Sequence, residues 1–222
     1  MGAEPLDVRA DRSGSAAGSG AIRSEVAKRA TCVILVPMSF GEAFEPILNA
    51  ARLGEEWAWE QLYRGVAPSV LGYLRSRGVD DSEDLLGETF LQVVRDLPTF
   101  TGDERDFRAW LFTIAHHRSL DAVRRSDRRP STPVDSLTLE LAGPIGDAEE
   151  DAIQAARAAE IRLALNGVSE DQRNVLLLRL FGELTIDEIG GLLRKRPGAV
   201  KALQRRGLAR LRKELSRKGV TP

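Results

Sequence analysis

The sequence predicts an all-α protein of two small helical domains joined by a flexible acidic linker. Apolar residues recur at helical spacing over about 40–128 and again over about 153–217, and no stretch alternates as a half-buried strand would. Between them, residues 130–152 contain Pro130, Pro133 and Pro144 and lose that period until about Glu149. The charges segregate too. Residues 135–151 hold six Asp/Glu and no Lys/Arg, whereas residues 185–218 hold eleven Lys/Arg against three Asp/Glu. The overall formal charge of −1 therefore hides a basic C-terminal unit behind an acidic connector.

Composition removes several function classes. With 42% hydrophobic residues the 222-residue chain can build two modest cores. A single cysteine, Cys32, excludes a disulfide framework and a cysteine zinc site. The only two histidines are the adjacent His116 and His117, which a helix points about 100° apart. They cannot readily share one ion, so no metal and no cofactor is expected. No run of about 18 apolar residues is present, and Thr31–Pro37 is too short for a signal-peptide core. A soluble, cytoplasmic protein without membrane contact is expected.

The elements follow in order. Residues 1–37, rich in Gly, Ala and Ser, are expected to be a disordered extension. Met38 is a second candidate start, and whether the segment before it is native or regulatory is left open. Ser39 and Glu42 have capping-box spacing ahead of the first periodic segment. Leu86, Phe90, Val93 and Leu97 form one apolar stripe, which Pro98 ends. A polar loop, Thr99 to Asp106, leads to a long helix expected to begin near Phe107. On that helix Trp110, Thr113, His117, Asp121, Arg124 and Arg128 share one stripe, beside an apolar face of Phe107, Leu111, Ile114 and Ala115. A ring beside guanidinium groups suits single-stranded nucleic acid, although Trp110 equally suits a core.

The C-terminal unit is punctuated more sharply. Ser169 to Gln172 and Thr185 to Glu188 are two capping boxes. Arg194-Lys195-Arg196 is a turn, and Pro197 suits the first position of the last helix, whose inner side is Val200, Leu203, Gly207, Leu211 and Leu215. A capped helix, a tight turn and a basic helix make a helix-turn-helix, which lays its second helix in the major groove. Lys201, Gln204 and Arg205 then sit at i, i+3 and i+4 as outward donors, and the turn residues can grip phosphate.

With these residues in order, the chain resembles an extracytoplasmic-function (ECF, group IV) bacterial RNA polymerase sigma factor of the sigma-70 family, the kind with regions 2 and 4 only. Val79–Gln92 is similar to the region 2.2 motif, Phe107–Arg125 to regions 2.3 and 2.4, and Val168–Arg179 with the following helix-turn-helix to region 4. The resemblance implies a region 2 domain over 38–129, an acidic linker over 130–152, a region 4 domain over 153–218 and a tail over 219–222.

It also implies roles. Asp84, Leu85, Glu88, Phe90 and Gln92 would bind core RNA polymerase at the β′ clamp helices. Thr101, Gly102, Asp103, Trp110, His117, Arg118, Arg124 and Arg125 would hold the melted non-template strand at the −10 element. Arg194, Lys195, Arg196, Lys201, Gln204, Arg205 and Arg206 would read the −35 element as duplex, with region 4 also on the β flap. The linker would lie in a basic channel, and an anti-sigma factor would hold the protein in check. Gly87, Val94 and His117 stand where the family usually has Gln, an aromatic and Asn. No catalytic residue is implied. The alternative is a stand-alone helix-turn-helix regulator with an N-terminal sensor or dimerisation domain.

Overall fold

The computed structural model describes residues 39–79, 81–128 and 148–217, all helix and connecting turn, with no strand among them. The expectations for residues 1–37, for 130–147 of the linker and for the tail lie outside the described residues. Four helices form the first lobe: α1 (Phe44–Arg52), α2 (Glu56–Arg77), α3 (Ser82–Asp96) and α4 (Glu104–Arg128). The second lobe holds α5 (Ala148–Ala164), α6 (Glu170–Phe181), α7 (Ile186–Leu193) and α8 (Pro197–Arg217). The helix α5 begins five residues before the boundary expected at 153.

The stripe on α3 is buried throughout, with Leu86, Phe90, Val93 and Leu97 facing α2 and α4. The α2 helix runs through the middle of the molecule. It packs on α1, α3 and α4 on one side and on α5 and α6 on the other. Val66, Ala67, Val70 and Leu71 bury around the exposed Pro68, so tertiary packing overrides the helix bond that a mid-helix proline removes.

Two helix starts differ from the sequence expectation. Ser39 and Glu42 do not form a capping box. Instead Glu104, from the start of α4, accepts the Phe40 and Gly41 N–H groups at 2.9 and 3.0 Å. The α4 helix itself begins three residues earlier than the apolar period indicates, because Asp103 caps it. Its Oδ1 accepts the N–H groups of Arg105 and Asp106 at 2.8 and 2.9 Å, and Asp106 reaches back to the Asp103 N–H. Both capping boxes of the second lobe form as the sequence predicts.

At the centre, Tyr73 on α2 and His116 on α4 share a buried hydrogen bond of 2.8 Å between the hydroxyl and Nδ1. Burial, helped by the neighbouring Arg77 and His117 charges, drives the His116 pKa down to about 4. Burial likewise raises Tyr73 to about 12. The unfolded chain therefore binds the His116 proton more tightly than the folded one. The stability that follows is whole above the ordinary histidine pKa of 6.5 and declines as pH falls from there toward 4. The total is roughly 3 kcal/mol. Denaturant titrations between pH 7.5 and 4 are expected to show this decline, and His116→Asn, which keeps an acceptor for Tyr73, should flatten the part due to this group.

Candidate nucleic-acid interface

On α3 the buried stripe leaves an outer face formed by Asp84, Glu88, Leu91, Val94 and Arg95. Leu85 and Phe90 point inward, and the Phe90 ring meets Tyr63 edge-on at 4.5 Å. Their side chains therefore set the packing behind the surface rather than the surface itself. Leu91 is 67% exposed and Val94 49%, an apolar pair one turn apart that no described residue covers. Sequence reasoning noted Val94 only as a departure from the family pattern and passed over Leu91, naming neither as a site residue. Their signal was available, since apolar residues off the buried stripe of an amphipathic helix have no core to enter. Gln92 bridges α3 to α4: its Oε1 accepts from Arg118 at 3.0 Å while its amide donates to Asp96. Glu88 adds an ion pair to Arg118 at 3.5 Å.

The loop before α4 presents Thr101, Gly102 and Asp103 to solvent. Gly102 has φ +149°, and a Cβ there would lie 2.6 Å from that of Asp106, so the turn excludes a side chain. The backbone N–H of Asp106, with help from Arg105, holds the Asp103 carboxyl below its usual range. That carboxylate is thus committed to the helix end. Phe100 stacks on Trp110 at 5.0 Å with 27° between the rings, and Phe107 leans on the same indole at 5.9 Å. Trp110 is half-buried, one ring face already used. His117, Arg124 and Arg125 are exposed along α4, and Arg124 approaches Asp121 at 3.4 Å. His116, adjacent to His117, turns inward to Tyr73.

In the second lobe α6, α7 and α8 form the helix-turn-helix expected. Thr185 caps α7, its hydroxyl accepting the Glu188 N–H while Glu188 accepts the Thr185 N–H at 2.6 Å. Burial alone would raise the Glu188 carboxyl; the Thr185 bonds and Arg105 outweigh it and hold the group below its usual range. The turn is tight. Lys195 N–H bonds Gly190 O at 2.8 Å, and a Cβ on Gly190 would lie 2.8 Å from the Lys195 carbonyl oxygen. Arg194 takes the left-handed conformation at φ +53° to close the turn.

That turn aims α8. Val200 and Leu203 face inward, and Gly207 lets Leu176 approach, where a Cβ would sit 2.9 Å from its Cδ1. Lys201, Arg205 and Arg206 then lie exposed on the opposite side, with Gln204 half-buried beside them. Arg194 and Arg196 are exposed in the turn, while the half-buried Lys195 is ion-paired to Asp171 at 2.9 Å. The result is a rigidly braced helix with a row of long cationic donors, a shape suited to a duplex groove and its phosphates.

The comparisons with known proteins meet this geometry at both lobes. Residues 62–129 match the family model for sigma-70 region 2, and residues 164–213 match that for sigma-70 region 4. The ECF RNA polymerase sigma factor ShbA of Streptomyces griseus is 34% identical over 176 residues, which cover 75% of this chain and 92% of that protein. The chain belongs to the ECF RNA polymerase sigma factors. SigD of Mycobacterium tuberculosis, another member, is 29% identical over 181 residues, covering 79% of this chain and 85% of SigD.

The sigma fold is also seen in solved structures. CnrH, in complex with the cytosolic domain of CnrY, superposes with a TM-score of 0.57 at 22% identity, covering 79% of this chain and 98% of CnrH. The sigma factor RpoE of Bartonella quintana, in complex with the anti-sigma factor NepR, gives 0.51 at 21% identity, covering 71% and 96%. Among the described residues no helix of this sigma factor is long and apolar enough to cross a membrane.

Proposed function

We propose that this sigma factor directs core RNA polymerase to promoters with two separate DNA readers and no active site of its own. The observation that carries the proposal is the row of exposed cations on α8, Lys201, Arg205 and Arg206, held outward by the braced turn. This helix, with Arg194, Arg196, Gln204 and the partly engaged Lys195, reads the −35 element as duplex. The second reader is the loop Thr101–Asp103 with the α4 face of His117, Arg118, Arg124 and Arg125, backed by Trp110, and it holds the melted non-template strand at −10. Extruding bases costs a few kcal/mol. Joining both readers to one polymerase raises their effective concentration for each other and offsets that cost.

The polymerase-facing surface is the outer side of α3: Asp84, Glu88 and Gln92 with Leu91 and Val94, and Leu85 and Phe90 supporting it from within. The β′ clamp helices are its proposed partner, with the second lobe on the β flap and the acidic linker in the channel that RNA later takes. Because the solved relatives CnrH and RpoE are complexes with CnrY and NepR, an anti-sigma factor that covers these surfaces is proposed here too, acting in the cytoplasm.

Two experiments test these assignments. Leu91→Glu with Val94→Glu places two charges on an exposed apolar pair, so folding should be unaffected while affinity for core polymerase falls at least about tenfold, or 1.4 kcal/mol. Unchanged core binding would move the polymerase surface elsewhere. Permanganate footprinting of a promoter selected by the holoenzyme should show reactive non-template thymines at −10 and a protected duplex at −35. A −10 region that stays paired in a transcribing complex contradicts the division of labour.

A further inference from the structure

Where α4, α6 and the turn after α7 meet, the molecule holds a solvent-open cleft of about 470 Å³. That lies within the roughly 300–1,000 Å³ typical of small-molecule sites. One of its lining residues is Asn174 of α6, only 6% exposed. The Asn174 Oδ1 accepts from the guanidinium of the buried Arg77, which fixes the way the amide points. Its NH2 group donates to no described residue. The cleft is thus lined by a nearly buried donor that still lacks an acceptor.

Three cations line the same cleft: Arg124 from α4, and Arg194 and Lys195 from the turn. Asp171 balances Lys195 at 2.9 Å, and Asp121 lies 3.4 Å from Arg124. Arg194 is left as the excess charge. It is exposed, enters no ion pair among the described residues, and holds φ +53° at a helix end. Glycine takes that conformation without strain, so closing the turn does not by itself call for an arginine. Leu120 of α4 and Leu192 and Leu193 of α7, all half-buried, supply an apolar wall. Donors that converge from three elements match the tetrahedral oxygens of a phosphate better than the two oxygens of a planar carboxylate.

We propose that this cleft binds a nucleotide-sized phosphate monoester. Its phosphate is held by the Asn174 amide with Arg194, Arg124 and Lys195, and its flat or apolar body lies against the three leucines. Arg124 and Arg194 are also residues assigned to promoter DNA, so ligand and DNA exclude each other there. That consequence rests on the promoter assignment; the site itself does not.

Isothermal titration calorimetry of the full chain with AMP tests the site, with adenosine and inorganic phosphate as its two halves. AMP should bind once per chain, about tenfold or more tighter than either half. Asn174→Asp keeps an acceptor for Arg77 but replaces the donor by a charge, and Arg194→Gly suits the left-handed turn. Both variants should therefore fold with thermal midpoints unchanged or raised. Each should weaken AMP binding about tenfold or more, the size of a lost hydrogen bond to a charged group. Replacing Lys201, Arg205 and Arg206 by Ala removes charge from outside the cleft and should leave AMP affinity nearly unchanged.

Titrations with AMP that never saturate overturn the site, as does adenosine or phosphate bound as tightly as AMP. AMP affinity that survives Asn174→Asp overturns it too. So does an α8 variant that weakens AMP as much as Arg194→Gly, since the binding is then diffuse attraction to a basic surface. The readout is ligand binding to the protein alone, so failure of the promoter assignment would leave it standing.

Discussion

Phe112→Ala is expected to lower the unfolding free energy by about 3–5 kcal/mol, the cost of emptying a fully buried aromatic site. Phe112 has no exposed surface and meets Tyr73 edge-on at 5.5 Å. Its ring also lines the seam with the second lobe at Gly182. Truncation therefore leaves a cavity under the Tyr73–His116 bond and removes apolar contact between the lobes at once. Against a typical total of about 5–15 kcal/mol, this is enough to unfold a sizeable fraction of the protein near its growth temperature. Denaturant titration followed by both far-ultraviolet circular dichroism and tryptophan fluorescence checks it. One shared transition at a lower midpoint is expected, because the buried residues form one continuous cluster from Phe44 to Leu203. Two separate transitions, with only the first displaced, would mean that the lobes do not share a core.

The second large effect concerns DNA. Replacing Lys201, Arg205 and Arg206 together by Ala should reduce affinity for a −35 duplex by about 100- to 1000-fold, or roughly 3–4 kcal/mol, with little change in stability. All three side chains are exposed, so the loss cannot come from the core. If all three neutralise phosphate in the complex, the slope of log affinity against log salt should also fall by about three. Lys195→Ala makes a graded comparison. That ammonium is partnered by Asp171, so its removal should weaken binding less than removal of any exposed donor on α8. Equal losses at Lys195 and Arg205 would show that the Asp171 pair opens on DNA.

How far the sequence discloses this molecule depends on how local each device is. The α3 stripe and both capping boxes of the helix-turn-helix were legible because each is set by residues within one or two turns. The start of α4 was not, since the apolar period begins at Phe107 while the helix begins at its Asp103 cap. The Ser39–Glu42 box failed for another reason: a carboxylate 63 and 64 residues away in sequence supplies those N–H groups instead.

The candidate site divides the same way. The outward cations of α8 follow from helical geometry alone. The motif resemblance named Leu85 and Phe90 by position, but a motif does not say which face of the helix is inward, and both are buried. The stack of Phe100 on Trp110 and the pairing of Arg105 and Arg108 with the second lobe are tertiary. Nothing in spacing or composition could have announced them.

The most direct test of the account is to mix the full chain with core RNA polymerase, isolate the complex by size exclusion, and run it on a pool of genomic promoter fragments. The account predicts co-elution and transcripts with defined starts that appear only when this sigma factor is added, with shared sequence upstream at −10 and −35. A well-folded chain that does not bind core polymerase, yet binds duplex DNA alone in a salt-sensitive way, would contradict it.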